Sequence, residues 1–183
     1  MGKLSTFNFI SLDGFYKDRS DGINWHPHDE EGNELSIESL KHNSTLLFGR
    51  KTYEMMASFW PTKDAMDHMP EVAAGMNRAE KIVFSQTLTK ADWNNTTLLQ
   101  GNLADEVRKL KQAGKSMTIL GSGSLISQLA AEHLIDEYLF LLDPIAIGRG
   151  ASLFKDLTEP LNLKLIHIKS FKSGALLLRY QAD

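Results

Sequence analysis

The stretch Met117-Thr118-Ile119-Leu120-Gly121-Ser122-Gly123-Ser124-Leu125-Ile126 decides how the chain folds. Four residues read as a short buried strand, glycine and serine alternate through a turn, and Leu125, Ile126, Leu129 and Ala130 then fall on one helical face. A glycine turn from strand to helix is the mark of an open α/β sheet, where ligands bind beyond the carboxyl ends of the strands. The first turn of such a helix has unpaired N–H donors that suit a pyrophosphate. A dinucleotide fingerprint of the Rossmann type would need glycine at Ile126 and an acid at the carboxyl end of the next strand. Here Asp136-Glu137 precede the strand Tyr138 to Leu142 instead. The same glycines also fit a plain tight turn.

Outward from this stretch, the run Thr45 to Phe48 leads into Gly49-Arg50-Lys51-Thr52 and a helix over Lys51 to Phe59. Glycine admits close backbone approach, and two cations with a hydroxyl stand beside the free N–H groups of a helix start, a combination suited to a phosphate. The alternative is an ordinary capped helix with solvated charges. It is not a Walker A loop, because the glycine such a loop would need falls on Ser44 and Arg50 interrupts the Gly-Lys-Thr order. Two anion cradles at strand ends are most economically bridged by one dinucleotide, with ATP the weaker reading. The run Lys81 to Ser85 ends in Ser85-Gln86-Thr87, small polar groups that suit a ribose or its phosphate.

The first strand, Lys3 to Ile10, runs into Ser11-Leu12-Asp13-Gly14, a polar loop from Asp18 to Gly22 expected to be a flexible lid, and Trp25-His26-Pro27-His28-Asp29-Glu30-Glu31. An aromatic side chain with carboxylates close by suits stacking on, and protonating, a flat heterocycle. The two histidines beside a proline are expected to face water rather than hold a metal. Asp29, Glu30 and Glu31 equally suit a solvated helix start.

Further helices are expected over Glu34 to His42 and Leu103 to Ala113, the latter stopped by Gly114. At the carboxyl end, Leu161, Leu163, Leu165, Ile166 and Ile168 pass through Lys172-Ser173-Gly174 to Leu176, Leu178 and Tyr180, a two-strand pattern with a short turn. The residues therefore predict one α/β domain over 1–183, with a mostly parallel sheet, helices on both faces and an antiparallel terminal hairpin.

Composition narrows the function classes. The 183 residues are 42% hydrophobic, and 20 basic against 23 acidic side chains give a formal charge of −3. That balance offers no surplus for a nucleic-acid backbone or an anionic membrane. There is no cysteine, which removes disulfides, thiolate metal sites and cysteine nucleophiles. No apolar run is long enough to span a bilayer, and the first ten residues lack a secretory pattern, so a cytoplasmic location is expected and the sequons at Asn43, Asn94 and Asn95 carry no meaning.

Taken in order, Ser11-Leu12-Asp13-Gly14, Leu47 to Glu54, Val83-Phe84-Ser85, Leu120 to Leu125, and Asp143 to Gly150 with Leu153-Phe154 resemble the dihydrofolate reductase superfamily. The branch they resemble is the C-terminal reductase domain of the bifunctional riboflavin-biosynthesis deaminase-reductase. The resemblance implies a three-layer fold on an eight-stranded sheet, NADPH as hydride donor, a small pteridine- or pyrimidine-type substrate, and a homodimer. It assigns Gly49, Arg50, Lys51, Thr52, Ser85 and Gln86 to the cofactor phosphates and Gly121, Ser122, Gly123, Ser124 and Leu125 to the pyrophosphate. Ser85-Gln86 stands where many relatives carry serine and arginine, which removes a bidentate cation for a 2′-phosphate. Asp13 and Trp25 are expected to line the substrate pocket. Folate reductases carry their substrate carboxylate about five residues after a Trp, which reaches Glu30, with Asp29 beside it. Folate reduction, or nucleotide binding without turnover, are the alternative functions on the same fold.

Overall fold

The computed structural model describes residues 1–41 and 44–182. His42, the expected end of the first helix, and the Asn43 sequon lie outside the described residues. In chain order the first elements are β1 (Leu4–Ser11), β2 (Phe15–Asp18), α1 (Glu30–Lys41), β3 (Thr45–Gly49), α2 (Arg50–Phe59), α3 (Lys63–His68), α4 (Pro70–Arg78) and β4 (Lys81–Phe84). They are followed by β5 (Thr96–Leu99), α5 (Leu103–Gln112), β6 (Met117–Leu120), α6 (Gly123–Ala131), β7 (Glu137–Asp143), β8 (Gly150–Ser152), β9 (Leu163–Ser170) and β10 (Leu176–Ala182).

Eight strands form one sheet in the order β5-β4-β3-β6-β1-β7-β10-β9. The six from β5 to β7 run parallel, while β10 pairs antiparallel with both β7 and β9. The central strands are short and apolar because both their faces are covered. Leu46, Leu47 and Phe48 of β3 are all buried, with Leu47 turned to one face and its neighbours to the other. On the first face Leu4, Leu47, Ile82, Ile119 and Tyr138 pack against Val107 of α5 and Ile126 and Leu129 of α6. On the second, Leu46, Phe48 and Val83 pack against Tyr53 of α2 and Val72 and Met76 of α4. The result is a three-layer, mostly parallel α/β fold of the dihydrofolate reductase type, ending in an antiparallel hairpin. The turn of that hairpin closes through Phe171 and Ala175, with Gly174 at φ 86°.

Several elements escape a local reading. Strand β5 alternates weakly (Thr96-Thr97-Leu98-Leu99), yet it pairs with β4 along its whole length and completes the sheet. The pair β2 and β8 forms a separate two-stranded ribbon. Helices α3 and α4 fill the stretch after α2, α3 capped by the Thr62 hydroxyl on Ala65 N–H and α4 opened by Pro70. Helix α1 starts at Glu30, four residues earlier than its apolar spacing suggests, because Asp29 caps it.

One irregularity in pairing positions everything below. Strand β1 pairs with β6 only from Leu4 to Phe7, matching Met117 to Leu120, but with β7 from Ser5 to Ser11. Past Phe7 the two central strands part, and a slot opens at their carboxyl ends. Such a switch point in an α/β sheet is where ligands lodge.

Candidate active site

The two glycine loops flank that slot and touch. Gly49 is the N-cap of α2, makes no side-chain cap and is followed by a first turn free of acids; Ser122 caps α6 in the same uncapped way. Consecutive left-handed residues, Gly121 at φ 57° and Ser122 at φ 54°, reverse the chain so that α6 starts beside α2. A non-glycine residue in this region is strained. Ser122 is held there because its buried Oγ accepts the Gly49 N–H at 3.0 Å. Gly121 faces Thr52 so closely that a Cβ would lie 3.3 Å from its Cγ2. Sequence segments about seventy residues apart thus form one surface of two helix N-termini with Arg50 and Lys51 at its rim.

Individual assignments within that surface divide. Gly49, Thr52, Gly121 and Gly123 shape it by closeness of backbone, while Arg50, Lys51 and Ser124 are exposed on it. Arg50 shares its charge with Glu54 at 3.2 Å, and Lys51 lies 3.9 Å from Asp21. The Ser122 hydroxyl and the Leu125 N–H, expected at the pyrophosphate, are spent inside the protein: Leu125 N donates to the Ser122 carbonyl at 2.9 Å. Ser85 and Gln86 follow β4, the neighbour of β3, at the same sheet end. The Ser85 Oγ accepts from Leu88 N–H at 2.9 Å and Thr87 N–H at 3.2 Å, and the Gln86 amide donates to the Gln100 carbonyl. Both side chains therefore serve the local turn.

Beneath this surface a cavity of about 1010 Å³ runs between the sheet and α1. Its middle is apolar, with Phe7, Phe9, Leu35, Leu120, Leu139 and Leu177 on its walls. Its mouth is formed by Tyr16, Lys17, Asp21, Ile23, Thr52 and Gly121. The mouth loop is a built turn rather than a loose lid. Asp18 accepts from the Ser20 hydroxyl at 2.8 Å, from Gly22 N–H at 3.0 Å and from Ser20 N–H at 2.8 Å, bonds that pull its carboxyl below the usual range, and Lys17 pairs with Asp21. Tyr16 was not foreseen as a site residue. It sits in a short strand whose pairing with β8 is remote in sequence, and its hydroxyl comes 2.8 Å from where Gly123 would carry a Cβ.

The expected substrate-side residues lie elsewhere. Asp29, Glu30, Asp13 and Trp25 are not on the cavity wall. Asp29 accepts the Gly32 N–H at 2.7 Å as the cap of α1, and this bond holds its carboxyl below the usual range. Glu30 is exposed, and Glu31 next to it accepts the Lys172 N–H at 2.7 Å, fastening α1 to the β9–β10 turn. Asp13 accepts from the Ser11 hydroxyl at 2.6 Å, then from Gly148 N–H at 2.6 Å and Ile147 N–H at 3.2 Å, and is depressed by them in that order of first importance. It ties the end of β1 to the loop after β7. Trp25 is half-buried, with an indole nitrogen shut off from solvent and unpartnered. His26, expected to face water, is buried: its Nδ1 lies 2.7 Å from Asp143 Oδ2, and its ring stacks on Phe9 at 3.7 Å. His28 is exposed, as expected, and meets the His26 ring edge-on; partial desolvation beside that ring lowers its pKa. No local pattern announces a partner 117 residues away.

Comparison with known proteins places this geometry. The chain is 29% identical over 172 residues to the uncharacterized protein YyaP of Bacillus subtilis (strain 168), covering 93% of this chain and 90% of YyaP. A solved protein from Shewanella sp. PV-4 named for riboflavin biosynthesis matches with a TM-score of 0.77 at 23% identity, over 99% of both chains. Dihydrofolate reductase from Enterococcus faecalis, solved with NADP(H), matches at 0.65 and 16% identity over 100% of this chain and 97% of that one. The deaminase/5-amino-6-(5-phosphoribosylamino)uracil reductase of Thermotoga maritima matches at 0.68 and 15% identity, over 100% of this chain and 57% of that longer one. The model of the RibD C-terminal domain matches residues 3–177. With nearly its whole length accounted for, the chain belongs to the RibD C-terminal domain family.

Proposed function

We propose that the protein is an NADPH-dependent reductase acting on a small flat heterocycle of the pteridine or pyrimidine type, akin to 5-amino-6-(5-phosphoribosylamino)uracil reduction. The observation that carries this reading is the junction of the two helix N-termini, Gly49 N–H to Ser122 Oγ at 3.0 Å, over the mouth of the cavity. Paired uncapped N-termini, with cations and no first-turn acid on α2, fit a diphosphate. The crowding at Gly121, where a Cβ would meet Thr52, fits backbone packed for a close ligand.

The bound cofactor would supply a hydride from C4 of its nicotinamide. The chain's own part is to orient and to exclude water. Arg50, Lys51 and Thr52 would hold phosphates, Phe7 and Phe9 would form the apolar wall beside the flat ring, and α1 would close the cavity over it. Since Asp29 and Glu30 are outside the cavity wall, the proton on the reduced atom is taken from water rather than from either acid. That placement speaks against folate turnover through Glu30. It also sustains a second reading, a nucleotide-binding protein without turnover. Beyond the single chain, β9 is the open edge of the sheet and exposes Leu165, Ile166 and Ile168, an apolar strip that a second copy would cover in a homodimer.

Fluorescence titration with NADPH tests the cofactor, with binding expected and weakened in Arg50→Ala. Oxidation of NADPH with the ribosylaminopyrimidine, against dihydrofolate, tests the substrate; binding without oxidation of any heterocycle supports the second reading.

A further inference from the structure

Strand β1 contains an unmet need for hydrogen bonds. Nδ2 and Oδ1 of Asn8, and Oγ1 of Thr6, are shut off from solvent and have no partner among the described residues. Asn8 is 4% exposed and Thr6 fully buried. Protein interiors leave few polar groups in this state, and a primary amide with neither donor nor acceptor engaged is among the costlier cases. Both residues border the cavity at the slot, with their side chains on the α6 face rather than on the α1 face where Phe7 and Phe9 lie.

Their place in the sheet says what would satisfy them. Asn8 is the first residue of β1 beyond its last pair with β6, Phe7 with Leu120, so it stands at the root of the slot. Strand alternation turns Asn8 and Thr6 to the same side as Leu4, the side covered by α6. Tyr16 packs against the same cluster and closes on Gly123 at the first turn of that helix. An asparagine side chain offers a donor and an acceptor side by side. Its complement is another amide edge, an N–H adjacent to a C=O.

We propose that Asn8 is a binding residue that pairs with an amide edge of a ligand entering the slot, with Thr6 Oγ1 as a supporting group. The proposal rests on the reductase reading, and two sources present this edge: the carboxamide of a nicotinamide, or the lactam of a flat heterocyclic substrate. A ligand pairing with Asn8 would open the packing that now shuts the amide off from solvent. A purely structural asparagine would instead have its partners within the fold.

Asn8→Leu, branched at Cγ like asparagine and without polar atoms, separates the possibilities by the sign of two effects. The ligand-free variant is expected to melt about 2–4 °C higher than wild type, since it no longer buries an unpaired amide. If the carboxamide is the source, NADPH binds the variant about tenfold more weakly while 2′,5′-ADP, which has no nicotinamide, binds both proteins alike. If the lactam is the source, NADPH binding is kept and a thermal shift by millimolar uracil is lost. Should Asn8→Leu not fold, Asn8→Ala with the acetylpyridine analogue of the cofactor decides: wild type discriminates against the analogue and the variant does not. A lower melting temperature with unchanged binding of both NADPH and uracil overturns the proposal, as does equal discrimination in Asn8→Ala together with an unchanged uracil shift. Failure of wild type to bind NADPH and 2′,5′-ADP alike would remove the cofactor reading, and the uracil arm would still decide Asn8.

Discussion

The starts of α1 and α2 are built on opposite logic. At α2 the helix start is left open: Gly49 gives no cap, the first turn holds no acid, and the neighbouring α6 starts the same way. At α1 the helix start is closed: Asp29 caps Gly32, and Glu31 is bound to the β9–β10 turn. An open N-terminus keeps its donors for an external anion, whereas a closed one spends its acids on fastening the helix. The difference teaches that carboxylates near a site are informative only once their partners are known.

The largest effect expected from breaking this contrast is at Gly121. Gly121→Val adds a β-branched side chain at φ 57° and 3.3 Å from Thr52. It should cost about 2–4 kcal/mol of stability by chemical denaturation and abolish measurable NADPH binding. Normal stability with tight binding would mean that the close approach of the two loops is incidental. Next comes Arg50→Ala, for which about tenfold weaker NADPH binding is expected, with a smaller difference at high salt because the site is exposed. An unchanged dissociation constant would remove Arg50 from the cradle.

The closed end gives smaller and different effects. Asp29→Ala should lower stability by about 1 kcal/mol through the lost cap while leaving NADPH binding alone. Its pH dependence has a definite sign. The folded carboxyl titrates below its unfolded value of about 3.9, so the cap's contribution is present above that pH and is lost as pH falls through the depressed value. The acid limb of the stability curve should therefore flatten in Asp29→Asn, as followed by circular dichroism. Glu30→Gln, on an exposed side chain, should change turnover less than twofold. A hundredfold loss there would restore Glu30 as the proton donor and bring the closed end into the site.

The same contrast explains what a reader of the sequence could see. The open end is local: a buried strand, a glycine and a helix start follow one another within ten residues in both Thr45 to Thr52 and Met117 to Leu125, so its geometry could be read directly. The sheet was legible for the same reason, apart from β5, whose identity comes from pairing with β4 rather than from its own pattern. The closed end is set by contacts across the chain. Glu31 meets Lys172 over 141 residues, His26 meets Asp143 over 117, and Asp13 meets Gly148 over 135. Spacing from Trp25 leads to the first turn of α1 but carries no information on its acids, of which Asp29 and Glu31 are bound within the fold and Glu30 is exposed. Asn8 carried no sequence signal, because its significance lies in the absence of a partner within a finished fold.

The claim on which the account turns is that the starts of α2 and α6 bind one diphosphate together, and amide chemical shifts of the ¹⁵N-labelled protein during titration with NADPH read both at once. The amides of Arg50 to Thr52 and of Gly123 to Leu125 should move along one saturation curve with a single dissociation constant. Shifts confined to one loop, or saturation elsewhere on the molecule while both loops stay still, would contradict it.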